Sequence, residues 1–315
     1  MITACGDTRN GSVPGSDIAP GDWPNYARDL GASKYSPLDQ IDTDNVAGLE
    51  VAWSWESADY ALEDRFPELT VNNNYQVTPI KVGERLYVAT NLGQAAALDP
   101  ATGDLEWYYQ FVPGETHDLD EVFESVLIDH DGRRSLFKMG KLGILWEIDR
   151  TTGAFVAARD LGYQTLLDVD PQTGQVTYRP GMIPRAGVEL EFCPNFLGIR
   201  NWYASAYHPG TQALYIPIHP TCVSGVFTEL PQEIGNNYYA NRGWSGRGST
   251  VHPDSEGYAG HLIAMDIDSG EILWRHSMAT RPRSAALTTG GGLVVGADTD
   301  RHLDIPGIDL PGSMS

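Results

Sequence analysis

Cysteine is scarce in this chain. Its 315 residues carry only Cys5, Cys193 and Cys222, too few for a small disulfide-framework fold or a four-cysteine zinc site. Long apolar runs are missing too, and none approaches the roughly 20 residues of a membrane-spanning helix. Basic residues are outnumbered, 21 Lys and Arg against 42 Asp and Glu for a net charge of -21. That balance excludes a nucleic-acid-binding protein, because phosphate contacts need clustered cations. What the chain does have is 34 Gly, 20 Pro, 8 Trp, 15 Tyr and 8 Phe, a composition for many short strands joined by tight turns.

Two stretches share the pattern A-x-D-x-x-[TS]-G-x-x-x-W: Ala97 to Trp107 (ALDPATGDLEW) and Ala264 to Trp274 (AMDIDSGEILW). Each reads as a hairpin. The apolar alternation supplies two strands, Asp99 or Asp266 bonds the turn amides, and Gly103 or Gly270 takes the positive φ of the reversal. A weaker copy, Glu147 to Val156 (EIDRTTGAFV), keeps the Asp and the Thr-Gly but not the Trp. Such units cannot bury both faces alone, so the expected fold is all-β, with the units stacked radially as blades of a propeller.

Residues 1–20 are polar, aperiodic and read as a tether. Within them Ile2-Thr3-Ala4-Cys5-Gly6 resembles the lipobox of bacterial lipoproteins, which implies a membrane tether through Cys5 on the periplasmic side. The later cysteine pair suits a disulfide and an oxidising compartment. Residues 21–302 are read as the propeller and 303–315 as an irregular tail. Within 42–49 (DTDNVAGL) a short helical stretch is expected, with Asp42 or Thr43 as cap. Strands are expected at 49–55, 76–81, 85–90, 94–98, 105–111, 123–129, 134–138, 143–148 and 154–158, then at 203–207, 213–218, 260–266, 272–276, 285–289 and 292–297. Residues 166–201 and 223–257 read mostly as loop.

The opening WPNYARDLGASKYSPLDQIDTDNVAGLEVAWSW, the Trp-closed repeats and the segment QFVPGETHDLDEVFE (110–124) together resemble the pyrroloquinoline quinone (PQQ) dependent, or quinoprotein, alcohol dehydrogenases over nearly all of 21–302. The resemblance implies an eight-bladed propeller carrying PQQ and Ca2+ on its axis. It implies oxidation of a small alcohol to an aldehyde or ketone, with electrons leaving to cytochrome c or ubiquinone. Carried onto this sequence, it places the catalytic base, and with it contact to the metal, on Asp118, with Asp120 the near competitor. It places the cation facing the quinone oxygens on Lys141 and the amide at the PQQ edge on Asn201, beside Trp202. Gln76 falls where the family usually has a PQQ-contacting Glu, and Arg283 near the ring position. Cys193 and Cys222 match a family disulfide.

The chain also departs from the pattern. It runs from Trp107 directly into the segment around Asp118, where the family has several further blades. Those blades carry an adjacent Cys-Cys pair, a Trp stacking on PQQ, and the Glu and Asn that ligate Ca2+. The expected architecture is therefore a partial propeller of about four to five blades. The alternative function is a non-catalytic propeller that binds a protein partner at a periplasmic membrane face.

Overall fold

A computed structural model of the chain describes residues 17–29, 33–57, 59–65, 77–228, 243–300, 302–304 and 306–307. The Cys5 tether and Gln76 fall outside the described residues.

The first blade is an antiparallel sheet of β1 (Ile80–Val82), β2 (Arg85–Ala89), β3 (Gln94–Leu98) and β4 (Leu105–Gln110), in sequence order. The second repeats it with β5 (Ser125–His130), β6 (Arg133–Met139), β7 (Ile144–Asp149) and β8 (Phe155–Asp160). A hairpin of β9 (Leu167–Val169) and β10 (Val176–Tyr178) and a strand β11 (Glu189–Phe192) follow. The third blade starts with β12 (Ala206–His208) and β13 (Ala213–Ile218). The chain then leaves through β14 (Thr221–Phe227), β15 (Trp244–Gly246) and β16 (Thr250–Val251). It returns as β17 (Gly260–Asp266) and β18 (Ile272–Met278), which complete the sheet in the order β12-β13-β17-β18. Three strands, β19 (Leu287–Thr289), β20 (Leu293–Ala297) and β21 (Leu303–Asp304), form a fourth, narrower sheet. The described residues form a partial β-propeller of four successive blades.

Turn chemistry explains the repetition. Asp99 Oδ1 accepts from the amides of Ala101 and Thr102, Asp149 Oδ1 from Thr151 and Thr152, and Asp266 Oδ1 from Asp268 and Ser269. A fourth copy, Asp170-Pro171-Gln172-Thr173-Gly174, closes the β9–β10 hairpin in the same way, through the amides of Gln172 and Thr173. It lies in the span expected to be mostly loop, and Tyr178 stands where the Ala97 and Ala264 copies carry Trp.

The turns are also where blades dock. Trp53 lies over Gly103 and donates its indole N–H to Pro100 O at 3.2 Å. Trp107 lies over Gly153 and donates to Arg150 O at 3.1 Å. A Cβ added at Gly153 would come within 2.8 Å of the Trp107 ring, and φ there is +74°, so both the close approach and the backbone require glycine. At the next seam the Trp position is Ala157. Arg159, two residues on and on the same face of β8, covers Gly270 instead and donates to Asp268 O at 3.1 and 2.8 Å.

Between these turns the core is continuous. Trp107, Phe111, Trp146, Leu166, Leu190 and Phe192 join the first two blades to the β11–β14 sheet. Phe137, Leu145, Ile216 and Ile263 join blades two and three. Tyr215, Leu262, Met278 and Val294 join three and four. Leu262, Ile263, Ala264 and Met265 are fully buried in succession, as expected of a central strand covered on both sides.

Two expectations are corrected and one is sharpened. Residues 49–55 pair with no described strand; Trp53 and Trp55 instead cover Val88, Ala96 and Leu98 of blade one. The spans 166–201 and 223–257, read mostly as loop, also hold short strands: β11 pairs with β14, and β14 with both β15 and β16. The helical stretch is a single 3₁₀ turn, Val46–Gly48. Asp42, one of its two candidate caps, accepts from the amides of Asp44 and Asn45. No described helix is long and apolar enough to cross a membrane.

Candidate functional site

Three chain segments meet at one end of blade two: the β4–β5 connection (111–124), the β6–β7 turn (140–143) and the loop from β11 to β12 (193–205). Ser125 pairs with Lys138 and Met139 with Leu145, so the first two segments emerge side by side. The third is docked onto them by Ile199, whose amide donates to Lys141 O at 2.6 Å. Gly198, at φ +78°, packs directly on the Lys141 side chain.

Lys141 is the centre of this meeting. Its side chain is 7% exposed. The ammonium donates to Asp118 O at 2.7 Å and lies 2.7 Å from Asp120 Oδ2 and 3.7 Å from Asp118 Oδ1, while the Lys141 amide donates to Asp120 O at 3.0 Å. The loop reaches this geometry because Glu115 folds back to accept from the His117 and Leu119 amides, and because Asp118 adopts φ +62°. An Asp tolerates that left-handed conformation better than most residues. The ring of His117 is fully buried, with Nε2 2.9 Å from Met182 O and its edge against Phe192. Burial raises the Asp118 carboxyl above the usual range, with the Lys141 charge pulling it back and Asp120 and Glu115 adding to the rise.

Behind Lys141 lies a layer of buried charge. Arg200 is 1% exposed; its guanidinium donates to both oxygens of Glu124 at 2.7 Å and to Met139 O at 3.1 Å. Burial alone would raise Glu124, but Arg200 and hydrogen bonds from Ser205 outweigh it and hold the carboxyl low. Glu121 is buried against Gly140, where any Cβ would overlap its carboxyl group. Burial raises Glu121 and lowers the equally buried Lys138, each partly restored by the other's charge. Lys138 bonds Phe123 O. Sequence reasoning passed over Arg200, Glu124, Glu121 and Lys138. The available signal was a charge inside an apolar run, Lys138 in LFKMG.

Asn201 and Trp202 sit on the same docked loop as Ile199. The Asn201 amide is partly committed, donating to Leu197 O and accepting from the Trp202 amide, both at 2.9 Å. Trp202 is 71% exposed with its edge on Phe123. Arg283 lies near this loop and donates to Tyr203 Oη. Cys193 and Cys222 form a disulfide at the root of the loop. The structure thus brings Asp118, Asp120, Lys141 and the Asn201 loop together, while Gln76 lies outside the described residues.

These residues fit the two implied groups unequally. For a quinone bearing carboxylates, Lys141 offers a buried cation, Asn201 an amide and Trp202 an exposed aromatic surface. For Ca2+ the fit fails at Asp118. The ammonium of Lys141 already stands between the two aspartates, and no described group of three metal-ligating side chains includes Asp118.

The profile of the PQQ glucose/ethanol/alcohol dehydrogenase β-propeller domain matches residues 23–175. Quinoprotein alcohol dehydrogenase PedH of Pseudomonas putida is 29% identical over 232 residues, covering 68% of this chain and 36% of the relative. Quinoprotein ethanol dehydrogenase of Pseudomonas aeruginosa is 26% identical over 284 residues, covering 80% of this chain and 44% of the relative. The chain therefore spans about a third to under a half of the length of these relatives. Among solved structures, quinohemoprotein alcohol dehydrogenase ADHIIG of Pseudomonas putida superposes with a TM-score of 0.60 at 22% identity, over 74% of this chain and 39% of that one. A europium-containing methanol dehydrogenase gives 0.59 at 21% identity, over 72% and 45%. Propeller architecture, Trp-docked blades and these matches agree: residues 23–175 match the PQQ-dependent dehydrogenase β-propeller domain, and the chain is similar to the quinoprotein alcohol dehydrogenases.

Proposed function

We propose that this chain carries part of a PQQ-dependent alcohol-oxidising centre, in a periplasmic protein that passes electrons to cytochrome c or ubiquinone. The observation that carries the reading is the buried Lys141 ammonium, fixed by Asp118 and Asp120 and covered by the loop bearing Asn201. Bound PQQ would supply the two-electron acceptor for the alcohol. Lys141 would hold a fixed positive charge beside the quinone oxygens as negative charge grows there, and a dry, preorganised cation is far more effective in that role than one in water. Asn201 would donate to the same bound group. Asp118 is the proposed proton acceptor: its carboxylate is held more loosely than that of Asp120, and its burial moves its proton affinity towards neutrality. A second reading makes Asp118 a positioning residue for Lys141, favoured by its backbone carbonyl, not its carboxylate, lying 2.7 Å from the ammonium.

The direct run from Trp107 into the segment around Asp118, where the family has several further blades, supports a chain that has lost internal blades. On this reading the chain as it stands binds PQQ and Ca2+ weakly, and calorimetry should show no saturable uptake at micromolar concentrations. With the missing blades supplied from a relative, Asp118→Asn should lower alcohol oxidation by about two to four orders of magnitude with little change in PQQ loading, and Asp120→Asn should keep most activity. Activity retained in Asp118→Asn but lost in Lys141→Gln would replace the base reading with the positioning one. Tight PQQ uptake by the unmodified chain would overturn the loss of the site.

A further inference from the structure

A second concentration of charge lies at the seam between blades two and three, away from Lys141. His130 closes β5 and is only 5% exposed. Its Nε2 lies 3.1 Å from Oε1 of the fully buried Glu147 and 3.1 Å from Ser135 Oγ. The Ser135 hydroxyl donates to Glu147 at 2.7 Å, and Arg159 donates to the other Glu147 oxygen at 2.9 Å. With that hydroxyl proton committed and a carboxylate able only to accept, Nε2 of His130 carries the ring proton.

Nδ1 then presents a lone pair. It is buried and lies 3.0 Å from Asp268 Oδ1, yet makes no hydrogen bond to it or to any other described group. Two acceptors at that separation repel unless a positive charge, a proton or a metal cation, joins them. Asp131 stands beside them: a ring nitrogen of His130 and a carboxylate oxygen from each of Asp131 and Asp268 all lie within 4.8 Å of one another. We propose that His130, Asp131 and Asp268 form a binding site for a divalent transition-metal cation that clamps blade two to blade three.

The chemistry of the set supports that class of ion. One imidazole with two carboxylates suits Zn2+ or a neighbouring first-row cation better than Ca2+ or Mg2+, which take oxygen only. Ligand bonds of about 2.0 to 2.2 Å put neighbouring donors about 2.9 to 3.5 Å apart, and the His130 to Asp268 separation falls within that span. Glu147 on the far ring nitrogen completes the carboxylate–histidine–metal arrangement that fixes tautomer and ring orientation. Arg133, whose Nη2 lies 3.0 Å from Asp268 Oδ1, is the competitor for this aspartate. Its side chain is 46% exposed and free to swing into solvent when a cation binds. Asp131 and Asp268 face water, which fills the remaining coordination positions.

The test is a ZnCl2 titration of the full, chelator-treated chain under non-reducing conditions, so that the Cys193–Cys222 bond keeps those sulfurs out of the measurement. Calorimetry should give saturable one-to-one binding at micromolar concentration, with a rise of a few degrees in the thermal midpoint at saturation. Asp131→Asn and Asp268→Asn should each weaken binding about tenfold or more, and Arg133→Gln should tighten it. Asp131 is an exposed turn residue at φ +47°, a conformation that Asn also adopts, so folding is not at issue in that variant. Absence of saturable binding to the folded chain, or binding untouched by both aspartate variants, overturns the site.

Discussion

The seam between blades one and two and the seam between blades two and three solve the same docking problem with different chemistry. In the first, a rigid indole fills the space over Gly153 and spends its one donor on Arg150 O. In the second, the flexible Arg159 covers Gly270 and carries with it a network of Glu147, Ser135, His130 and Asp268. The difference teaches that the propeller geometry is set by the turn and its glycine, while the group that covers the glycine is free to change. The cost of that freedom is polar. Once an arginine replaces tryptophan, every buried partner it brings must be satisfied in turn.

The largest expected contrast comes from near-isosteric changes at the two covers. Glu147→Gln keeps the volume but removes the charge that Arg159, Ser135 and His130 are arranged around, and should destabilise by about 3 to 5 kcal/mol in denaturant titration. Trp107→Phe loses a ring and one hydrogen bond but strands no charge, so a loss of about 1 to 2 kcal/mol is expected. Equal losses would mean that the charged network contributes no more than packing.

Acid should separate the regions next. His219 and His261, both buried around blade three, are held down to about 4 by burial. The unfolded chain takes up protons near 6.5 that the folded chain refuses until about 4, so stability falls as pH drops through that window. Each histidine contributes up to about 3 kcal/mol to the fall. Hydrogen exchange between pH 7 and pH 4.5 should show amides of β13 and β17 losing protection ahead of those of β3 and β4; uniform loss would break the assignment. The smallest contrast lies at the glycines. Both Gly153→Ala and Gly270→Ala force an L-residue to positive φ, but the added methyl meets a fixed indole in one and a movable arginine in the other. Gly153→Ala should cost about 1 to 2 kcal/mol more in thermal unfolding.

The fold was legible where order along the chain equals order in space. Blades one and two are meanders whose Asp-to-Gly turns announce themselves, and their strands match expectation to within two residues apart from the front end of β1. What stayed hidden was non-local. The partner of β11 is β14, which lies beyond two strands of blade three, and no local period announces that pairing. The fourth turn copy was missed because its flanking strands have three residues each, too few to show alternation. Residues 49–55 alternate like a strand because Trp53 and Trp55 share a half-buried face, yet that face is used to cover a sheet without joining it. At the candidate site, Lys141 and Asn201 came from resemblance alone. The buried charges behind them answer to neighbours up to 81 residues away, which no single segment reveals.

The excursion between β13 and β17 sets an order in time. These strands share six register pairs from Ala213↔Asp266 to Ile218↔His261, yet residues 219–259 separate them, where the matching strands of blades one and two are joined by short turns. Closing that longer loop costs about 2 kcal/mol more in chain entropy, and pairings of high sequence separation form late. Blade three therefore assembles onto a blade two that is already formed, using its finished face as the template. Substitutions confined to the excursion act mainly on how fast this second stage completes, and substitutions in β5–β8 act on whether there is a surface for it to begin on.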